Sequence, residues 1–178
     1  TLRRRVDVAT GAKSPFIASG IPGSVGSSAI ALWRELQTLR ASGPDVAVWP
    51  FDGPLATLTR RRQIVLAETY PRACYALALQ QGTLAPCAIR PLAKTQPRVR
   101  AEALRALRAA RGTWRPSIRL AGLDEAAANE DDFDACLTAV ALLRATLHGS
   151  LLASAPLVDS QVEGGILGWI SQGLGAGD

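Results

Sequence analysis

Residues Gln63–Arg72 read Gln-Ile-Val-Leu-Ala-Glu-Thr-Tyr-Pro-Arg, and three structural signals follow one another within them. Ile64, Val65, Leu66 and Ala67 form a continuous apolar run. Such a run predicts a strand over 63–68 with cover on both faces, as in a parallel or mixed sheet. Glu68 closes that strand. Pro71 then suits the first turn of a helix predicted over 72–81, because its ring fixes φ and it carries no N–H to leave unpaired. A strand, a carboxylate at its carboxyl end and a helix within ten residues point to an α/β fold, in which ligands gather at that edge of the sheet.

Working outward, Asp45-Val-Ala-Val-Trp49 predicts a second short strand, stopped by Pro50 and followed by the turn residues Phe51-Asp52-Gly53-Pro54. Upstream, the glycine-rich turn over 20–28 enters an amphipathic helix expected over 29–40, with Ala31, Trp33, Leu36 and Leu39 on its apolar side and residues 41–44 ending it. Val6-Asp-Val-Ala9 reads as a strand or an arm. Downstream, 98–111 predicts a helix with Val99, Ala103, Leu104 and Leu107 facing in, Arg facing out and Gly112 ending it. Residues 131–148 predict a helix that is apolar almost all round, with Arg144 its only central charge, and so packed within the fold. A last apolar segment runs over 162–170, and the four tryptophans, Trp33, Trp49, Trp114 and Trp169, are expected in the core.

With 178 residues and 48% hydrophobic composition, the chain is expected to fold as a single domain, 1–178. It contains no Met and starts at Thr1, which reads as a processed protein or a piece of a longer one. Cys74, Cys87 and Cys136 are odd in number, widely spaced and in apolar surroundings, so they read as free thiols of a reducing compartment. One histidine, His148, is too few for zinc chemistry or a Ser-His-Asp relay. No apolar run approaches the ~20 residues that cross a bilayer and no signal peptide is visible, so a cytoplasmic protein without a membrane partner is expected.

The net charge of +5 is unevenly spread. Nine basic residues and one acid, Glu102, lie between Arg90 and Arg119, whereas six acids and no base lie between Asp124 and Asp134. A basic surface beside an acidic focus suits a polyanion delivered to bound metal; a solvated arginine face gives the same pattern. Within the acidic focus, Asp131 and Asp134 are one helical turn apart and both could reach one ion, and Glu130 stands at i+4 from Asp134 as another candidate ligand. Acids in a first turn are also favoured by the helix dipole, and Asn129 or Asp131 could serve only as N-cap. Glu68 is open to a simpler reading as well, an ion pair with Arg60, Arg61 or Arg62. Lys94, on the connector before the arginine-rich helix, suits contact with a phosphate. The turn over 20–28 could cradle an anion, but it lacks the Lys of a triphosphate-binding loop, and a plain helix entry explains it too.

Taken in order, Ser19-Gly-Ile-Pro-Gly-Ser-Val-Gly26, Val48-Trp-Pro-Phe-Asp52, Leu66-Ala-Glu-Thr-Tyr-Pro-Arg72, Lys94-Thr95, Asp131-Asp-Phe-Asp-Ala135 and Glu163-Gly164 resemble the family called domain of unknown function 429. The resemblance covers about residues 15–168 and implies a ribonuclease H-like mixed sheet flanked by helices, with predicted nuclease activity. It implies that Glu68 is the family's strand-end carboxylate and that Asp131 and Asp134 are its acidic helix pair. These three are then the catalytic residues and the ligands of Mg²⁺ or Mn²⁺, while Lys94, Arg72 and Arg98 hold nucleic acid. The family's fold also places an Asp on its first strand, upstream of the glycine-rich loop. Asp7 matches a charged position just before that loop, so the opening strands are expected to precede Thr1.

The resulting expectation is a metal-dependent nuclease. The alternative is a ribonuclease H-like module that binds nucleic acid or a protein partner without chemistry. A nucleotide-binding phosphotransferase is a third possibility, resting on the glycine-rich turn.

Overall fold

In the computed structural model, which describes residues 3–17, 20–43, 45–61, 63–82, 91–114, 117–149 and 164–167, the two predicted strands pair in parallel. β1 (Val46–Trp49) lies beside β2 (Ile64–Ala67) in the register Val46↔Ile64 to Trp49↔Ala67. Among the described residues the elements run α1 (Arg5–Thr10), α2 (Val25–Ser42), β1, α3 (Leu55–Leu58), β2, α4 (Pro71–Leu79), α5 (Pro97–Trp114), α6 (Leu123–Ala128) and α7 (Glu130–His148). The class is therefore mixed α/β, with helices in the majority. The chain divides into two compact units, one drawn from 1–68 and 155–166, the other from 69–154 and 167–178.

In the first unit all four residues of β1 are buried, and Asp52 locks the turn beyond them by accepting from the Val48 N–H at 2.7 Å. That hydrogen bond, with the nearby Arg40 guanidinium, holds the Asp52 carboxyl below the usual carboxylate range. The expected cover on both faces applies to β1 rather than β2, whose Ile64 is exposed and whose other residues are half-buried. Among the described residues β2 has a single strand neighbour. Gly164 and Gly165 pass close against this unit: a Cβ at Gly164 would meet the Phe51 ring at 3.2 Å, and one at Gly165 would meet the Trp49 ring at 3.0 Å. Glu163 and most of the predicted 162–170 segment lie outside the described residues.

Three expectations for this unit are corrected. Residues 6–9 are helical, within α1, because the Asp7 carboxylate accepts from the Arg4 N–H and Gly11 adopts φ +69° to end the helix. The alternation of Val6 and Val8 mimicked a strand, yet Asp7 between them is buried while Val8 is 65% exposed. α2 starts at Val25, four residues before the predicted Ala29, because Ser24 caps it by accepting from the Ser27 N–H at 3.1 Å. Trp33 is exposed and meets Phe51 edge-on at 5.9 Å, so of the two tryptophan side chains described Trp49 lies in the core and Trp33 does not. Trp169 and the side chain of Trp114 lie outside the described residues, as does Cys87.

The second unit is built on α7. Phe133, Leu137, Val140, Ala141, Arg144 and Ala145 recur at helical spacing to form its buried stripe, packed among Cys74, Leu77 and Ala78 of α4 and Ala103, Leu104 and Leu107 of α5. Asn129 is the N-cap, accepting from the Asp132 N–H at 2.8 Å, and Gly149 closes the helix with φ +78°. The α5 helix extends past the predicted stop at Gly112 to Trp114, and its arginines are not all outside. Arg100 is buried, donating to the carbonyls of Lys94, Ala127 and Ala128 at 2.7–3.0 Å. Its position one turn before Leu104 puts it on the inward face. Cys74 and Cys136 are free thiols, and burial pushes Cys74 up to about 11. Among the described residues no helix is long and apolar enough to cross a membrane.

Arg144 is 2% exposed and donates to the carbonyls of Leu77 (2.7 Å), Ala78 (3.3 Å), Gln80 and Gly82 (2.8 Å). These carbonyls lie at and just beyond the end of α4, where helical bonding runs out and the dipole favours a cation. Replacing Arg144 with Met keeps the stem and removes the donors. The expected loss is about 3 kcal/mol of unfolding free energy, measured by urea denaturation, because buried carbonyls are left unpaired.

Candidate functional site

Glu68 is the residue immediately after β2, so the geometry of the strand delivers its carboxylate to the carboxyl end of the parallel pair. Its partner among the described residues is Arg4, whose Nη1 and Nη2 donate to the two carboxylate oxygens at 2.5 and 2.7 Å, and neither Arg60 nor Arg61; Arg62 lies outside the described residues. The same guanidinium donates to Asp7 at 2.7 Å through Nη2 and at 3.0–3.1 Å through Nε. Asp7 is fully buried, whereas the Glu68 side chain remains 43% exposed. Burial alone would lower the Arg4 pKa, but the bonds to Glu68 and Asp7 outweigh it and raise the value. One arginine thus holds a structural aspartate and the strand-end glutamate together.

Asp134 lies on the second turn of α7, in the other unit, with its side chain 18% exposed. One carboxylate oxygen accepts from the Tyr75 hydroxyl of α4 and the other from the Lys94 ammonium. Glu130, one turn earlier on α7, stands 4.0 Å from the same ammonium. Asp131 is exposed and takes no part in these hydrogen bonds, so Glu130 rather than Asp131 shares the cation with Asp134. Arg72 is exposed on the first turn of α4, and its charge acts on Tyr75. Arg98 is exposed on the first turn of α5 and pairs with Glu102 at 2.8 Å.

Hydrogen bonding at Asp134 draws α4 and the segment before α5 to the first two turns of α7. Tyr75, at the middle of α4, joins that helix to the second turn of α7, and Lys94 joins the segment leading into α5 to α7. Arg100 ties that segment to the end of α6. Helix N-termini carry positive partial charge, so the acids Glu130 and Asp134 and any anion near Lys94 are favoured there. Tyr75 was not among the expected site residues. Its signal is a hydroxyl on the buried face of a helix, which needs a partner when taken out of water. Arg4 gave no such signal among Arg3, Arg4 and Arg5.

Comparison of the chain with protein-family models, curated proteins and solved structures returns no match, so the reading rests on the chemistry of these residues.

Burial, followed by the hydrogen bond to Asp134, raises the Tyr75 pKa. A raised value favours the neutral form in the folded protein. This contribution to stability is fully present below the unfolded tyrosine pKa of about 10 and is lost as pH rises through the higher folded value. Ultraviolet titration of the folded chain should show a late tyrosine step, above the ordinary range. Tyr75→Phe should remove the late step alone.

Proposed function

We propose that the chain is a metal-dependent nuclease of ribonuclease H-like fold, hydrolysing phosphodiester bonds of nucleic acid. In this reading Glu68, Asp131 and Asp134 are its metal-binding carboxylates, and Lys94, Arg72 and Arg98 hold the substrate. The observation that carries it is the Asp134 cluster, where a carboxylate near the start of α7 meets a tyrosine hydroxyl and a lysine ammonium in the second unit. That combination offers separate places for a cation and for a phosphate. Glu68 supports the reading from its own unit, standing at the sheet edge where α/β folds bind ligands.

The donor chemistry suits a divalent ion, since Mg²⁺ and Mn²⁺ take hard carboxylate oxygens. Lys94 acts as a stand-in, a positive charge already held by Asp134 with Glu130 4.0 Å away. Among the described residues no three Asp, Glu, His or Cys side chains gather as a metal-binding group, so an ion at Asp134 competes with the Lys94 ammonium for the same oxygen. When bound, such an ion activates water and stabilises the leaving oxygen. Tyr75 holds the Asp134 carboxylate by a hydrogen bond, and in this reading Lys94, once released from it, contacts the phosphate. Arg72 and the exposed arginines of α5 add the salt-dependent attraction that any nucleic-acid backbone provides.

One observation favours the second reading, a binding module without chemistry: both oxygens of Glu68 are already taken by Arg4. Activity assays with Mn²⁺ on single-stranded, duplex and branched substrates separate the two. The nuclease reading predicts cleavage that falls on the order of a hundredfold in Glu68→Gln and in Asp134→Asn. Binding without cleavage by the wild-type chain supports the module instead, and cleavage unaffected by Glu68→Gln removes that residue from the site.

A further inference from the structure

Away from the Asp134 cluster, the second unit has a groove of about 520 Å³ between α7 and the segment 119–126. On the α7 side it runs from Asp132 to Leu143, about 16 Å along the helix axis. Leu123, Cys136, Val140 and Leu143 give it an apolar floor, and the exposed Ala139 contributes only a methyl group. The charged residues lining it are Glu125, Asp132 and Arg119, two acids against one base. Asp132 uses Oδ2 to accept from the Asn129 amide, which leaves Oδ1 as an acceptor. The volume lies within the range of small-molecule sites, and an apolar floor with a few charged groups is their usual lining.

We propose that this groove binds a small amine with an apolar body. The body covers the floor formed by Cys136, Val140 and Leu143, removing apolar surface from water. The ammonium group bonds to the carboxylates of Asp132 and Glu125 as a charge-assisted donor, while Arg119 repels it and so orients the ligand toward the acids. An apolar carboxylate of the same size meets two like charges for each opposite one. The assignment uses none of the residues proposed for phosphodiester hydrolysis and stands or falls separately.

Two probes that share an indole body and differ in charge test it: tryptamine and indole-3-propionate, titrated into the ¹⁵N-labelled chain. Tryptamine should shift the backbone amides of Gly122, Glu125, Cys136 and Ala139 in a saturable way, and indole-3-propionate should leave them in place. Asp132→Asn and Glu125→Gln should each weaken tryptamine about twofold to fivefold, the range of one partly exposed ion pair. Ala139→Trp, at an exposed position, should fill the groove and abolish the shifts while the rest of the spectrum is preserved. Equal shifts from both probes overturn the charge argument. No saturable shift from tryptamine, or unchanged binding in Ala139→Trp, overturns the site.

Discussion

The arrangement of the second unit depends on one guanidinium, that of Arg144. It sits on the buried stripe of α7 and is met by four carbonyls at and beyond the end of α4. Burying a charge without partners costs far more than a surface charge, so α4 must end where those carbonyls converge. That fixes α4 along α7 with both N-termini at the same end. Tyr75 then reaches Asp134, and the rings of Tyr75 and Phe133 pack with centroids 5.7 Å apart. Arg100 does the corresponding work for α5 and α6, and through the Lys94 carbonyl it sets where the lysine enters the cluster. The candidate site is a consequence of how two buried arginines find their acceptors.

Much of this was legible from residue order because local rules and burial agreed. The apolar runs 46–49 and 64–67, each bounded by turn or helix-start residues, gave the strands, while the short helix α3 between them was not read from residue order. The long apolar pattern between Asn129 and Gly149 gave α7 within one residue of its start. What was not legible is where charges go. Asp7 and Arg4 sit in an arginine-rich stretch that looks like surface, and only the folded chain brings Glu68 to them across 64 residues of sequence. The same long-range dependence hid Tyr75 and Lys94 as the partners of Asp134, and it preferred Glu130 to Asp131 beside the lysine.

Carboxylates at the end of a strand and the start of a packed helix are costly to place without positive charge nearby. Both have it, and both find it in the chain itself: Glu68 in Arg4, Asp134 in Lys94. The two cases differ in depth. Arg4 is buried and committed to two carboxylates at once, whereas Lys94 is 31% exposed on a connector and holds Asp134 through its flexible end. A lysine is a compact, strongly hydrated charge that loses less than arginine on returning to water. Asp134 is therefore the carboxylate whose counter-charge is exchangeable, and the proposed metal chemistry turns on that exchange.

Calorimetric titration of Mn²⁺ into the wild-type chain, Asp134→Asn and Lys94→Ala tests this most directly. Exchange at Asp134 predicts saturable uptake by the wild type, its loss in Asp134→Asn, and tighter binding in Lys94→Ala, where the competing ammonium is gone. Uptake that is the same in all three, or absent from all three, would contradict it.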